Sequence, residues 1–340
     1  MTYTTLIIIW FALWGLLWAV YFMLDGFDLG VGMLYPFLAK DENERKLLLN
    51  SIGPFWDGNE VWLITAGGAT FAAFPTTYAV MFSFFYLPFM LILLGLIFRG
   101  TAIEFMNKSE GQTWKDLWKW ALAAGSFLVA FLFGVAFANI FHGLPIDEQG
   151  YHGTLISLLN SYGILGGLLF TGLFILSGSI WIGIKTDNEL SERVMNFSSK
   201  MWYGVLVLAV IFLVQTYFET SLYDIYIENP IWLIDLAIAV ISLLLTKVFI
   251  NKKDAIKAFI THSLLIVSTT FFGIIGLYPN MLPSSIDSKH SLTVFNSASS
   301  EYTLKIMFIV AIIFVPIVIF YQIMMYKIFS GKITEKDAHY

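Results

Sequence analysis

Long apolar runs separated by short polar connections dominate the chain. Nine runs are long enough to cross a bilayer as helices: they lie near residues 5–34, 50–74, 78–99, 117–141, 157–184, 201–220, 230–249, 257–278 and 303–329. A hydrocarbon core of about 30 Å takes roughly 20 apolar residues per helix. The runs are continuous rather than alternating, which argues against the strands of a barrel. The expected fold class is therefore all-α, a polytopic membrane protein with nine transmembrane helices arranged as two four-helix bundles plus one peripheral helix. Pro36, Pro75, Pro145, Pro230, Pro279 and Pro283 fall between the runs or at their edges, where a residue without an amide hydrogen is tolerated. No soluble domain interrupts the pattern, so residues 1–340 are expected to form a single integral membrane domain, with halves at 1–142 and 157–278 and a ninth helix at 303–329. The opening MTYTTLIIIW has no basic n-region and no small-residue cleavage site, and it reads as a retained span.

Charge placement orients the bundle. Assigning alternate connections to one side gathers 17 of the 19 Lys and Arg residues there, from Lys40, Arg45 and Lys46 to Lys327, Lys332 and Lys336. Only Lys289 and Lys305 fall on the other side. Because basic residues near span ends accumulate in the cytoplasm, the expectation is a multi-pass protein of the cell (cytoplasmic) membrane, N-terminus outside and C-terminus cytoplasmic. Composition agrees: 58% of residues are hydrophobic and 13% charged, against about 25% charged in soluble domains. A net charge of −5 without a basic tract excludes nucleic acid as a partner. Zero cysteines exclude a disulfide framework and a thiolate metal site.

Ionisable groups inside spans cost about 2.5–3.5 kcal/mol each at the bilayer centre, so each asks for a partner or a task. The first run carries Asp25 and Asp28 in LDGFDLGVGML, and the second carries Asp57 and Glu60 in IGPFWDGNEVWLI. Each pair has i,i+3 spacing, which puts both carboxyl groups on one helical face. Counted from the inner ends of the two runs, all four acids fall at one level in the cytoplasmic half. Gly26, Gly30, Gly32, Gly53 and Gly58 are expected to let these two helices approach closely and to leave room for water. Two readings follow. The acids form a proton inlet from the cytoplasm, or they belong to a structural polar clamp in which Arg99 of FRGTAIEF, with Glu104 beyond it, neutralises them. Trp56 and Trp62 flank the carboxyl groups and are expected to close off water or to line an apolar gas path.

None of the histidines, His142, His152, His262, His290 and His339, lies at mid-span. Each is expected to cap a helix end or meet solvent, so a haem ligated wholly within this chain is not expected, nor a metal site. Most aromatic residues are expected to face lipid or pack, with Trp10, Trp114 and Trp232 in interfacial belts. Walker, Rossmann and zincin motifs are absent.

The segments LDGFDLGVGML, SIGPFWDGNEVWL, GGATFAAFPTTYA and FRGTAIEF follow one another in the order and spacing of subunit II of cytochrome bd-type quinol oxidases. The chain resembles that family through its first three runs, and its nine-run length extends the resemblance to the whole. What the resemblance implies is an oxidoreductase of the respiratory electron-transport chain, a heterodimer that oxidises quinol and reduces dioxygen to water with chemical protons taken from inside. In that family haem b and haem d belong to subunit I, the partner of this chain. Membrane lipid, a structural quinone as some members bind, and a small single-helix accessory subunit complete the expected surroundings. By the same resemblance Asp57 matches an acid in a proton channel toward the haems and Asp25 an acidic position near it. Trp62 matches an aromatic residue beside an oxygen channel at the subunit interface, and Glu60 stands where some members carry Gln. On the residues alone, a proton-coupled secondary transporter acting by itself and a purely structural assembly subunit stay open as rivals.

Overall fold

The apolar runs are helical in the structure, a computed structural model that describes residues 1–109 and 111–333, with Asn188 described by its backbone alone. Lys336 and His339 lie outside the described residues. Helices α1 (Tyr3–Leu38), α2 (Glu42–Ile52) and α3 (Trp56–Ala73) are followed by α4 (Pro75–Phe84), α5 (Tyr86–Phe105) and α6 (Gln112–His142). A hairpin of β1 (Ile146–Asp147) and β2 (Gly150–Tyr151) leads to the single turn α7 (Leu155–Leu158), then α8 (Ser161–Lys185) and α9 (Asn188–Glu219). The short α10 (Asp224–Glu228) precedes α11 (Leu233–Asn251) and α12 (Ala255–Leu277). Strands β3 (Asn280–Leu282) and β4 (Leu292–Thr293), the turn α13 (Val294–Ser297) and the long α14 (Glu301–Ile328) complete the chain.

Among the described residues eight helices are long and apolar enough to cross a membrane: α1, α5, α6, α8, α9, α11, α12 and α14. The second expected run is the exception. Its helix α3 has 18 residues but opens on Asp57, Asn59 and Glu60, and the residues before it form the separate α2. The third expected run is broken as well, because α4 ends at Phe84 and α5 starts at Tyr86. Pro75 opens α4, where its missing amide hydrogen leaves no bond unmade.

Helix α1 is the central element, with α3, α6, α8 and α12 packed around it. Its rings interlock with those of α6 and α8: Trp18 lies 5.3 Å from Phe137 and Phe22 4.9 Å from Phe170, both edge to face, the arrangement that aromatic quadrupoles favour. Further along, α1 and α8 cross at backbone contact. A Cβ at Gly30 would run into the Phe174 carbonyl, and one at Gly178 into the amide of Val31. Helices α5 and α6 meet in the same way, since a Cβ at Gly95 would lie 2.9 Å from the Gly125 carbonyl. The expected role of the α1 glycines is thus corrected: Gly26 and Gly30 face α8 and Gly32 faces Ser126 of α6, while nothing approaches Gly58. Carbonyl oxygens line these crossings, and only residues without a Cβ allow α1 to touch α8.

The two ends of the bundle differ. At one end the connections around 143–160 and 279–300 knit together. Leu144 donates its amide to Pro283 at 2.8 Å, Ser285 donates to Leu144 at 2.9 Å, and Ser299 donates to Ala73 at 2.8 Å. In the hairpin here, a hydrogen bond from His152, 2.8 Å away, holds the Asp147 carboxyl below the usual carboxylate range, helped by the Gln149 amide. At the other end ion pairs link the connections: Lys40 with Glu189 at 2.6 Å, Arg193 with Glu44 at 2.5 Å, and Lys253 with Glu192 at 2.5 Å. The exposed pairs Lys40–Glu189 and Lys253–Glu192 add little stability.

Helix α14 lies at the periphery, with Leu304 its one buried residue. It is tied at both ends. Trp10 donates its indole hydrogen to the Leu304 carbonyl at 3.1 Å, so this ring is buried between α1 and α14 rather than set in an exposed belt. At the far end the Lys185 ammonium, in contact with the rings of Phe55 and Trp181, donates to the Phe329 carbonyl. A cation at a helix C-terminus offsets the unpaired carbonyls there.

Gly30→Val forces α1 and α8 apart and is expected to destabilise the detergent-solubilised protein by about 3 kcal/mol or more, at or beyond the upper range for overpacking. Thermal unfolding reads this out. Gly204→Ala, at a position with nothing within 4 Å of the added carbon, should leave the midpoint unchanged or raise it.

Candidate functional site

Where α1, α3 and α5 converge, the protein buries a guanidinium. Arg99 of α5 and Asp25 of α1 are both fully excluded from solvent and pair through two hydrogen bonds, Nη1 to Oδ2 at 2.9 Å and Nη2 to Oδ1 at 2.5 Å. The bidentate geometry offsets a desolvation penalty of several kcal/mol per ion, which a looser pair would not. Glu60 of α3, partly buried, places Oε1 3.5 Å from Arg99 Nη1. Asp28, one turn after Asp25 and fully buried, feels the charges of Asp25, Arg99 and Glu60. One cation therefore stands against three carboxyl groups. With all three ionised the cluster would hold uncompensated negative charge in a weakly screened site, so it has a use for protons.

Asp28 is reached from the other direction by a chain of amides. Its Oδ2 accepts from Asn59 Nδ2 at 2.6 Å. Asn59 Oδ1 accepts from Gln322 Nε2 at 3.1 Å and from the Tyr326 hydroxyl at 3.0 Å, both on α14. Gln322 Oε1 in turn accepts from the indole of Trp62 at 2.7 Å. Asn59, Trp62, Gln322 and Tyr326 all line a cleft of about 430 Å³ between the start of α3 and the second half of α14. Its lining includes Trp56, Asp57, Gly58 and Trp62 on one side and Tyr321, Gln322 and Tyr326 on the other, with Glu104 beside them.

The structure thus brings Asp25, Asp28, Glu60 and Arg99 together. Asp57 is exposed in the cleft rather than inside the cluster, though close enough for its charge to act on Glu60. Glu104 does not join Arg99: five residues on, it points about 140° around the helix, is exposed, and opens into the cleft. Trp56 is half-buried, with its ring over Gly100. Trp62 is buried and serves as a hydrogen-bond donor, a role beyond the apolar one expected of it. Sequence reasoning passed over Asn59, Gln322 and Tyr326. Gln322 did leave a signal, as the one side-chain amide in the apolar run 303–329, where a polar group needs a partner.

His262 departs from its expected place at a helix end or in solvent. It is fully buried on α12, and its Nε2 is hydrogen-bonded to the Leu173 carbonyl at 2.8 Å. Burial follows from α12 packing its first turns against α8. Among the described residues no three His, Cys, Asp or Glu side chains gather as a metal site. With Nε2 engaged and no second histidine facing it among the described residues, His262 does not fit haem ligation.

Comparisons with known proteins bear on the same chain length. Residues 6–329 match the family model for cytochrome bd terminal oxidase subunit II. The chain is similar to cytochrome bd ubiquinol oxidase subunit 2 of Bacillus subtilis, 38% identical over 97% of this chain and 97% of that one. It is also similar to cytochrome bd-I ubiquinol oxidase subunit 2 of Escherichia coli K12, 35% identical over 98% and 97% of the two chains. In fold it resembles the bd oxidase structure from Geobacillus thermodenitrificans with a TM-score of 0.77, covering 96% of this chain and 98% of that one at 17% identity. Family model and relatives agree over almost the whole length of this helical membrane protein: the chain belongs to the cytochrome bd terminal oxidase subunit II family.

Proposed function

We propose that this subunit packs against a haem-bearing subunit I and supplies the path by which protons from the cytoplasm reach the oxidase interior. The haems of the partner carry electron transfer from quinol and the reduction of dioxygen; this chain holds and moves protons. The observation that carries the reading is the cleft between α3 and α14, which has Asp57 in its lining and Asn59, bonded to Asp28, at its wall. In the proposed sequence a proton is taken up at the exposed Asp57 carboxylate and passes one helical turn along α3 to Glu60, beside the Arg99 guanidinium. From there it reaches the carboxyl groups of α1, where Asp28 receives it and Asp25 stays ionised as the fixed counter-charge of Arg99. Arg99 cannot give up its own proton, so its fixed charge favours an ionised carboxylate beside it and keeps protons from filling every acid of the cluster. Trp56 and Trp62 make the apolar part of the same cleft, which supports an oxygen path along them.

The orientation proposed is N-terminus outside and C-terminus cytoplasmic, with 1–340 as one integral domain and halves at 1–142 and 157–278. Its support is the end of the bundle where α1, α8 and α14 finish, which carries the ion-paired lysines and arginines and lies nearest the cleft. A structural quinone, bound lipid and a small accessory helix are proposed on the family resemblance alone.

Asp57→Asn in the purified two-subunit complex is expected to slow quinol-dependent oxygen consumption by about tenfold or more, as loss of a proton-transfer group does, with the partner's haem absorbance intact. Wild-type turnover in that variant contradicts the inlet. Arg99→Met leaves Asp25 buried without its cation, a change of about 3–5 kcal/mol. Yield of assembled complex should fall sharply and recover in large part when Asp25→Leu is added. A double variant no better than Arg99→Met would show that the pair does more than neutralise itself.

A further inference from the structure

The geometry points to Trp62, Gln322 and Asn59 as a directional orienting chain that keeps a hydrogen-bond donor turned toward Asp28. The inference rests on reading Asp28 as a proton-carrying group. Direction follows from the inventory of donors and acceptors. An indole N–H only donates, so Gln322 must offer Oε1 to Trp62, 2.7 Å away. That leaves Nε2 of Gln322 to donate to Asn59 Oδ1 at 3.1 Å. The Tyr326 hydroxyl donates to the same oxygen at 3.0 Å. With its oxygen holding two donors, the Asn59 amide can turn over only by losing the Gln322 bond and setting its NH2 against that of Gln322, with the Tyr326 hydroxyl forced to switch from donor to acceptor. Nδ2 therefore stays on Asp28 Oδ2, at 2.6 Å.

The chain thus settles which oxygen of Asp28 works. Oδ2 is held as an acceptor, and Oδ1 is buried without a hydrogen-bond partner among the described residues. A proton arriving at Asp28 binds Oδ1 and leaves from it, while Oδ2 keeps the carboxyl in place. Were Asn59 reversed, its oxygen would face Asp28, and only a protonated carboxyl could satisfy it, so the proton would be trapped on Oδ2. Other ionisable groups bear on Asp28 as charges. Asp25 faces it on α1, Glu60 on α3 and Arg99 on α5. Lys185 of α8 and His262 of α12 are bonded elsewhere, to the carbonyls of Phe329 and Leu173. On α6, Lys115 pairs with Glu42 and Lys119 with Asp116. Trp62, Gln322 and Asn59 are positioning residues that act through Asp28: only Asn59 touches it, at Oδ2 and not at the oxygen that takes the proton.

The test uses the purified two-subunit complex and compares oxygen consumption with wild type from about pH 5.5 to about pH 8.5, a range across which a partly buried Glu titrates. In Gln322→Glu the protonated side chain can accept from Trp62 and donate to Asn59, whereas the ionised one can only accept and draws the Asn59 NH2 away from Asp28. Turnover relative to wild type should be near one at the acid end and fall by about 3- to 10-fold at the alkaline end, the equivalent of roughly one hydrogen bond. Gln322→Leu should be low throughout. Should Gln322→Leu fail to assemble, as judged by the partner's haem absorbance, Trp62→Phe keeps the ring and serves in its place. A ratio for Gln322→Glu that does not change with pH, or a Gln322→Leu or Trp62→Phe complex as fast as wild type, overturns the orienting chain. Asp28→Asn separates the two ideas. If it slows turnover while the Gln322 variants behave otherwise than stated, the chain is wrong and the proton reading stands. If it turns over at the wild-type rate, the proton reading fails and the chain falls with it.

Discussion

A guanidinium with no access to water governs this fold. Arg99 stays protonated under any ordinary condition, and its burial obliges the surrounding helices to bring it carboxylate oxygens. Asp25 answers with a bidentate pair and Glu60 adds a third contact, so α1, α3 and α5 are fixed relative to one another by charge as well as by packing. The glycine crossings make this geometry reachable. Gly95 against Gly125 draws α5 onto α6 one turn before Arg99, and Gly30 against Gly178 draws α1 onto α8 just past Asp28. With backbones in contact on one side, α1 turns its acidic face to the other.

Helix α14 shows how a weakly buried element can still matter. It contributes a single buried side chain, Leu304, yet its two ends are tied down by Trp10 and Lys185 and its last two turns deliver Gln322 and Tyr326 to Asn59. The same helix forms one side of the cleft that contains Asp57. The acid cluster is thus closed on the α1 face by packed glycine and aromatic contacts and on the α14 face, the one facing the cleft, by the hydrogen bonds of Gln322 and Tyr326 together with the Tyr326 ring stacked on Phe55.

Much of this was legible in the sequence because membrane helices announce themselves through length and apolar content. The charged pairs Asp25/Asp28 and Asp57/Glu60 stood out because charge inside such runs is costly. The second and third runs were harder to read. Asp57, Asn59 and Glu60 make the start of α3 too polar for a plain span, and in the run 78–99 the sign of the break at Phe85 is a single residue, Pro88, in the first turn of α5. Partners across the bundle were less legible. Spacing along one helix told that Asp25 and Asp28 share a face, but not that Gly26 and Gly30 would meet α8. The amide chain joins α3 to a helix more than 250 residues later, as the separation of 263 between Asn59 and Gln322 records, and no local pattern encodes such a pairing.

The central claim is that the cleft carrying Asp57 is hydrated and reached from the cytoplasm. Because the chain has no native cysteine, Asp57→Cys introduces a single thiol into this subunit, and thiolate reactivity requires water at the site. A membrane-impermeant thiol reagent applied to vesicles of either orientation should modify it from the cytoplasmic side and not from the outside, to the same extent in the assembled complex. Modification only from outside, or none from either side in unfolded-positive, haem-intact complex, would contradict the account.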